Sequence, residues 1–138
     1  MTPYFKAEQM ETFREVLIDA ETTLLKADLF FGHGYESAHD EAVALVLAAA
    51  DYSLIDTSAA ILDTDYPLTA IPKLRSFLAA RCEERLPVAY ITGEACLGHL
   101  CFKSDARALV PRSPVAELIM NMFEPWYQGP DPQVIIDV

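Results

Sequence analysis

The sequence predicts a mainly α fold: an N-terminal helical bundle followed by a β-hairpin and a helix, ending on the first strand of an α/β unit. Three observations carry this. Apolar residues recur at spacings of three and four through much of residues 10–86, as they do in helices that bury one stripe. After Pro87, glycines and β-favouring residues take over, and Leu100 and Phe102 alternate with Cys101 and Lys103 at a period of two. The last six residues, "QVIIDV", set three β-branched residues before an acid, the pattern of a buried strand.

The first helix rests on Met10, Phe13, Leu17, Ala20, Leu24, Ala27 and Phe31, which fall in one stripe, with Glu11, Glu15, Asp19 and Glu21 off it. Gly32-His33-Gly34 is expected to end it, because glycine readily takes a left-handed cap. The same string resembles the start of a phosphate loop, but it follows a helix rather than a strand and lacks a third glycine. A second helix starts at Ser37, a good N-cap with Asp40 three residues on, and turns Val43, Val46, Leu47 and Ala50 inward. His33 and His39 flank this junction and read as structural, with no base or nucleophile beside them.

A short third helix is expected around "TSAAIL", with Thr57 as its cap. The fourth, "AIPKLRSFLAARCEERL", faces Leu74, Phe77, Leu78 and Cys82 inward, and Pro87 closes it. Gly98-His99 fits the turn of a hairpin with strands near 93–97 and 100–104, which Tyr90 is expected to pack on the helices as a core residue. "SPVAELIMNMF" then opens a helix, with Ser113 as N-cap and Pro114 where a missing N–H costs nothing. "WYQGPDP" is turn-rich. A buried-type strand at the end would normally lead into a turn and a helix, so the chain reads as a piece of a longer protein.

Composition narrows the function. The chain has 138 residues, 52% hydrophobic and 22% charged, enough to bury a core. No apolar run approaches the roughly 20 residues that span a bilayer, and the acidic amphipathic start is no leader segment, so a cytoplasmic protein is expected. Three cysteines, Cys82, Cys96 and Cys101, are an odd count, which favours reduced thiols over a disulfide framework. Cys96, His99 and Cys101 leave a zinc site one ligand short, so no metal is expected. Residues 1–72 carry 13 acids and 3 bases, a net of −10, and residues 73–138 carry 8 acids and 7 bases, a net of −1. Such a chain is a poor nucleic-acid binder, and its acidic half suits a basic partner.

Three separated strings, in order, resemble one enzyme family. Arg85-Leu86-Pro87-Val88-Ala89-Tyr90 with Thr92-Gly93, then Leu109-Val110-Pro111-Arg112, then Val134-Ile135-Ile136-Asp137 look like the hairpin, linker and first core strand of HemK-type protein-glutamine methyltransferases. The continuation Ser113-Pro114-Val115-Ala116-Glu117-Leu118-Ile119 resembles the branch that modifies the third protein of the large ribosomal subunit. So do Gly32-His33-Gly34 and Asp40-Glu41-Ala42-Val43.

The resemblance implies a fold that ends at the first strand of a truncated Rossmann-like methyltransferase domain. It divides the chain into a helical substrate-recognition domain (1–87), a β-hairpin linker (88–112) and the start of the methyltransferase domain (113–138). It implies methylation of a glutamine side-chain amide from S-adenosylmethionine, with a basic large-subunit ribosomal protein as partner. It places Leu109 and Asp137 beside the cofactor, and Val110, Pro111, Arg112 and Glu117 at the substrate-facing interdomain junction, with Arg112 and Glu117 paired. The family's glycine-rich loop follows the strand where this sequence stops, and no Asn-Pro-Pro-Tyr string occurs. No catalytic residue is therefore expected here, nor cofactor binding by the chain alone. The competing expectation is a free-standing helical protein–protein interaction module.

Overall fold

The computed structural model describes residues 12–32, 34–55, 57–97, 100–111, 115–130 and 134. Helix α1 (Phe13–Lys26) starts at Thr12, whose hydroxyl accepts from the Glu15 N–H while the Glu15 carboxylate accepts from the Thr12 N–H. This reciprocal cap satisfies two otherwise orphaned donors. Phe13, Leu17, Ala20 and Leu24 of the expected stripe are buried, joined by Val16 and Thr23. The helix stops at Lys26, well before Gly32. Asp28 takes the left-handed turn with φ 50°, so the glycines shape a loop instead of ending a helix.

Helix α2 (Ala38–Ala49) begins as expected: the Ser37 hydroxyl accepts from the Asp40 N–H at 3.2 Å. It is the central element, buried on nearly every side, packed on α1 and on α3 (Ile71–Cys82). A 3-10 turn, Ala59–Asp63, replaces the third helix, and Thr57 bonds back to the Ser53 carbonyl rather than capping it. Phe13 closes the core there, edge-on to Tyr66 and Tyr52 with ring centres 4.8 and 5.5 Å away. Burial pushes the Tyr66 phenol pKa up, and its hydroxyl donates to the Val46 carbonyl at 3.2 Å.

Leu74 and Leu78 of α3 are buried as expected, with Phe77 and Cys82 half-buried. The helix ends at Cys82 and not at Pro87. Arg85 takes φ 61° and the Leu86 N–H reaches back six residues to the Ala80 carbonyl, closing the helix end. Pro87 instead opens a short helix, α4 (Val88–Thr92), within the stretch that composition marks as β-favouring. Val88 and Ala89 bury against α2 and α3, which overrides local strand preference, and Gly93 at φ 78° stops the turn.

Strands β1 (Glu94–Leu97) and β2 (Leu100–Lys103) form the expected antiparallel hairpin, pairing Glu94 with Lys103, Ala95 with Phe102, Cys96 with Cys101 and Leu97 with Leu100. This register corrects the reading of reduced thiols: Cys96 and Cys101 stand directly opposite, Cα atoms 4.1 Å apart, and are joined as a disulfide, leaving Cys82 free. Five residues apart, the two cysteines become direct cross-strand partners once Leu97 pairs with Leu100, which a count of cysteines does not reveal. Helix α5 (Val115–Met120) follows, its expected caps Ser113 and Pro114 lying outside the described residues together with most of the C-terminal strand. Among the described residues no helix is long and apolar enough to cross a membrane.

Candidate functional site

The stretch between α1 and α2 is held at Asp28 and Phe30 by the end of α3. Arg85 donates to the Asp28 carbonyl at 2.8 Å. Arg81 donates to the Phe30 carbonyl at 2.9 Å. Arg81 also grips Glu41 of α2 with two bonds of 2.7 and 2.9 Å, and both side chains are almost wholly buried, at 4% and 2% exposure. A buried bidentate pair of this kind is geometrically specific, and each charge depends on the other for solvation.

Within the loop, Gly32 has φ 142° and Gly34 φ 100°, conformations that L side chains rarely adopt. A Cβ built on Gly34 would lie 3.8 Å from Val110 Cγ1. The loop therefore meets the Leu109–Pro111 segment, two motifs 75 residues apart that sequence alone links only by resemblance. That segment leaves the hairpin through its own staple. The Ser104 N–H bonds the Gly93 carbonyl at 2.9 Å, and the Tyr90 hydroxyl donates to the Ala108 carbonyl at 2.7 Å. Asp105 accepts from the Arg107 N–H and guanidinium, which holds its carboxyl below the usual range. Tyr90 thus ties down the segment after the hairpin rather than filling the core.

Of the expected site residues, Leu109 is 90% exposed, while Val110 and Pro111 are half-buried. Glu117 is exposed on α5. Arg112 and Asp137 lie outside the described residues, so the Arg112–Glu117 pair and the placement of Asp137 beside a cofactor do too. Phe30, 77% exposed, adds an apolar side chain to the loop that faces this segment. Leu109 and Val110 offer apolar contact alone; the polar partners a charged sulfonium cofactor needs are not among them.

Glu94, Cys96 and Cys101 bring ligand-type atoms within 4.8 Å of one another. The two sulfurs are bonded together, so no thiolate is free for an ion, and His99 lies outside the described residues. His39 is a surface residue hydrogen-bonded to Glu21 at 2.9 Å. A separate apolar groove of about 180 Å³ runs between α1, α2 and the 3-10 turn, lined by Leu17, Val43, Leu47 and Ile61.

Arg81 and Glu41 escape a charge count, which treats them as solvated. The signal was present in the pattern: Arg81 continues the Leu74, Leu78 stripe, and Glu41 sits among Ala38, Ala42 and Leu45. Opposite charges on two apolar faces are the mark of an internal pair.

Comparison with known proteins adds relatives. A ribosomal protein uL3 glutamine methyltransferase of Xylella fastidiosa is 41% identical over 100% of this chain, which spans 44% of that protein. Its counterpart in Xanthomonas campestris is 41% identical over 89% of the chain and 40% of the protein. This chain is similar to these methyltransferases along almost its whole length. The counterpart from Neisseria gonorrhoeae is 37% identical over 88% of the chain, again covering 40% of the relative. The chain thus spans less than half the length of the uL3 glutamine methyltransferases that it matches. No family model matches it, and no solved structure does.

Proposed function

We propose that this chain is the substrate-recognition part of an enzyme that transfers a methyl group from S-adenosylmethionine to a glutamine side-chain amide of the large-subunit ribosomal protein uL3. The observation that carries the reading is 41% identity across the whole chain to relatives bearing that name. A helical bundle with a small hairpin beside it is a shaped surface of the kind that recognition needs, which supports the reading.

An amide nitrogen is a weak nucleophile because its lone pair is delocalised into the carbonyl. The enzyme has to hold that nitrogen in line with the methyl–sulfur bond, which is mainly a matter of position and of hydrogen bonds to the amide. S-adenosylmethionine supplies the electrophilic methyl group when bound. This chain contributes placement. Leu109 is an apolar wall beside the cofactor and the target glutamine. Val110, Pro111 and Arg112 form the junction to the catalytic part, Glu117 pairs with Arg112, and Asp137 stands at the cofactor's edge. The recognition domain spans residues 1–87, the hairpin linker 88–112, and the catalytic domain begins at 113. The acidic first half draws in a basic ribosomal protein, in the cytoplasm, without binding nucleic acid or membrane.

The test is methyl transfer by the intact enzyme that contains this chain, with purified uL3 as acceptor. Peptide mass spectrometry is expected to find one added methyl group on a glutamine. A product methylated elsewhere, or none, would overturn the proposal. Leu109→Asp in the same enzyme is expected to lower kcat/KM by roughly tenfold or more, as apolar contact at the reacting centre is lost.

A further inference from the structure

We infer that Arg81 is the positioning residue of the recognition surface: it fixes the loop 28–36 to the bundle, and through Gly34 and Val110 it fixes the Leu109–Pro111 segment. The value of that segment for substrate rests on the function proposed above; the mechanical coupling does not.

The argument starts from what a buried ion pair does. Desolvating two charges offsets most of their attraction, so an apolar pair of similar volume commonly holds a core as well. Stability alone therefore does not require Arg81 and Glu41. What no apolar pair can replace is the third bond. One Arg81 nitrogen, Nη2, donates both to Glu41 Oε1 and to the Phe30 carbonyl, each at 2.9 Å. The planar fork is held by Glu41, and so its remaining N–H points in a fixed direction. Phe30 follows directly before the Gly32 turn, whose Cβ position would lie 3.0 Å from the Phe30 ring, so the ring folds back over the glycine. The height of the Phe30 carbonyl thereby sets how the chain enters the glycine loop, and Gly34 of that loop meets Val110. Arg81 bridges Glu41, in the middle of α2, to the Phe30 carbonyl, and the loop that Phe30 enters reaches Val110 at Gly34. Arg85 makes a second, exposed bond to the same loop at Asp28, which keeps the loop's start in place if Arg81 is changed.

The experiment compares three versions of this chain: unchanged, Arg81→Lys, and the volume-conserving pair Glu41→Leu with Arg81→Met. Melting temperatures come first, then amide hydrogen exchange residue by residue. The double variant is expected to melt near the unchanged chain, with exchange in α2 and α3 preserved. Exchange in residues 29–36 and at Leu109 and Val110 is expected to speed up by roughly tenfold as the local opening free energy falls. Arg81→Lys keeps the charge but loses the fork, and is expected to fall between. A folded double variant with an unchanged loop overturns the inference. If the double variant does not fold, Arg81→Lys decides: faster loop exchange at preserved α2 protection supports it, and unchanged exchange overturns it. In the intact enzyme the double variant is expected to raise KM for uL3 by roughly tenfold with kcat little changed, as lost recognition does. Equal loss of kcat at constant KM would contradict a recognition role. An unchanged enzyme that does not methylate uL3 at all defeats the proposed function and leaves hydrogen exchange to decide the coupling.

Discussion

Tyr66 shows how one side chain makes stability depend on pH. Its phenol is buried and donates to the Val46 carbonyl, and burial raises its pKa from the ordinary 10.0. The charged form is the phenolate, which the folded state disfavours. Its contribution is therefore fully present below pH 10.0 and lost as pH rises through the higher folded value. Tyr66→Phe is expected to cost about 1 kcal/mol at neutral pH, for the lost hydrogen bond. It is also expected to flatten the fall in stability above about pH 10. Part of that slope remains in the variant, because Tyr35 is raised too, by burial and then by Glu94 and Glu41. Denaturant titrations across the alkaline range measure both effects. An equally steep alkaline loss in the variant would refute the assignment.

At the scale of elements, α4 is the clearest case of packing overriding composition. Four of its five residues, Val88, Tyr90, Ile91 and Thr92, favour strands, yet Val88 and Ala89 lie against α2 and α3, and Gly93 releases the chain into β1 at φ 78°. A Cβ at Gly93 would meet nothing within 4 Å, so Gly93→Ala is limited to backbone strain. The expected cost is about 1–2 kcal/mol, with Gly93→Asn costing less. Thermal melts of the two variants rank them, and equal stability to the unchanged chain would mean the turn is not constrained.

The hairpin and the start of α2 were legible in the sequence because local signals decide them: a period of two around Gly98-His99, and Ser37 before an apolar run. The ends of α1 and α3 were not, because non-glycine residues, Asp28 and Arg85, take the left-handed turns there. The disulfide needed the register and not a count. As for the candidate site, the Leu109–Pro111 string was readable by resemblance. The loop that meets it, and the arginines that hold that loop, appear only once α3 lies beside α2.

For the whole molecule the governing quantity is charge. The net charge is −11, with nearly all of it in the first 72 residues. Two of the few bases there and nearby are already engaged: Arg14 pairs with Asp63 at 2.8 Å and Lys73 with Asp51 at 2.6 Å. Such a surface steers a basic protein over distances comparable to the Debye length, about 8–10 Å near physiological salt. The association rate of the intact enzyme with uL3 is expected to fall steeply between low and high salt while dissociation changes less. Stopped-flow or surface-based kinetics would measure it, and a salt-independent association rate would remove the electrostatic role. Calorimetry on this chain alone is expected to detect no S-adenosylmethionine binding, since Leu109 and Val110 provide only apolar contact.

The beginning of α1 is closed by residues that come much later. The Phe13 N–H bonds the Thr64 carbonyl at 3.1 Å, and Thr12 bridges Asp65. On a translating ribosome Thr12 emerges first, and its partners follow only after about fifty more residues, several seconds at roughly 5–20 residues per second. For that interval α1 has its own cap but no lid on its first turn, and Phe13 has neither Tyr52 nor Tyr66 to pack on. A chain that assembles in this order exposes its aromatic corner to the nascent-chain environment until residue 66 is out, and that window is where a chaperone would meet it.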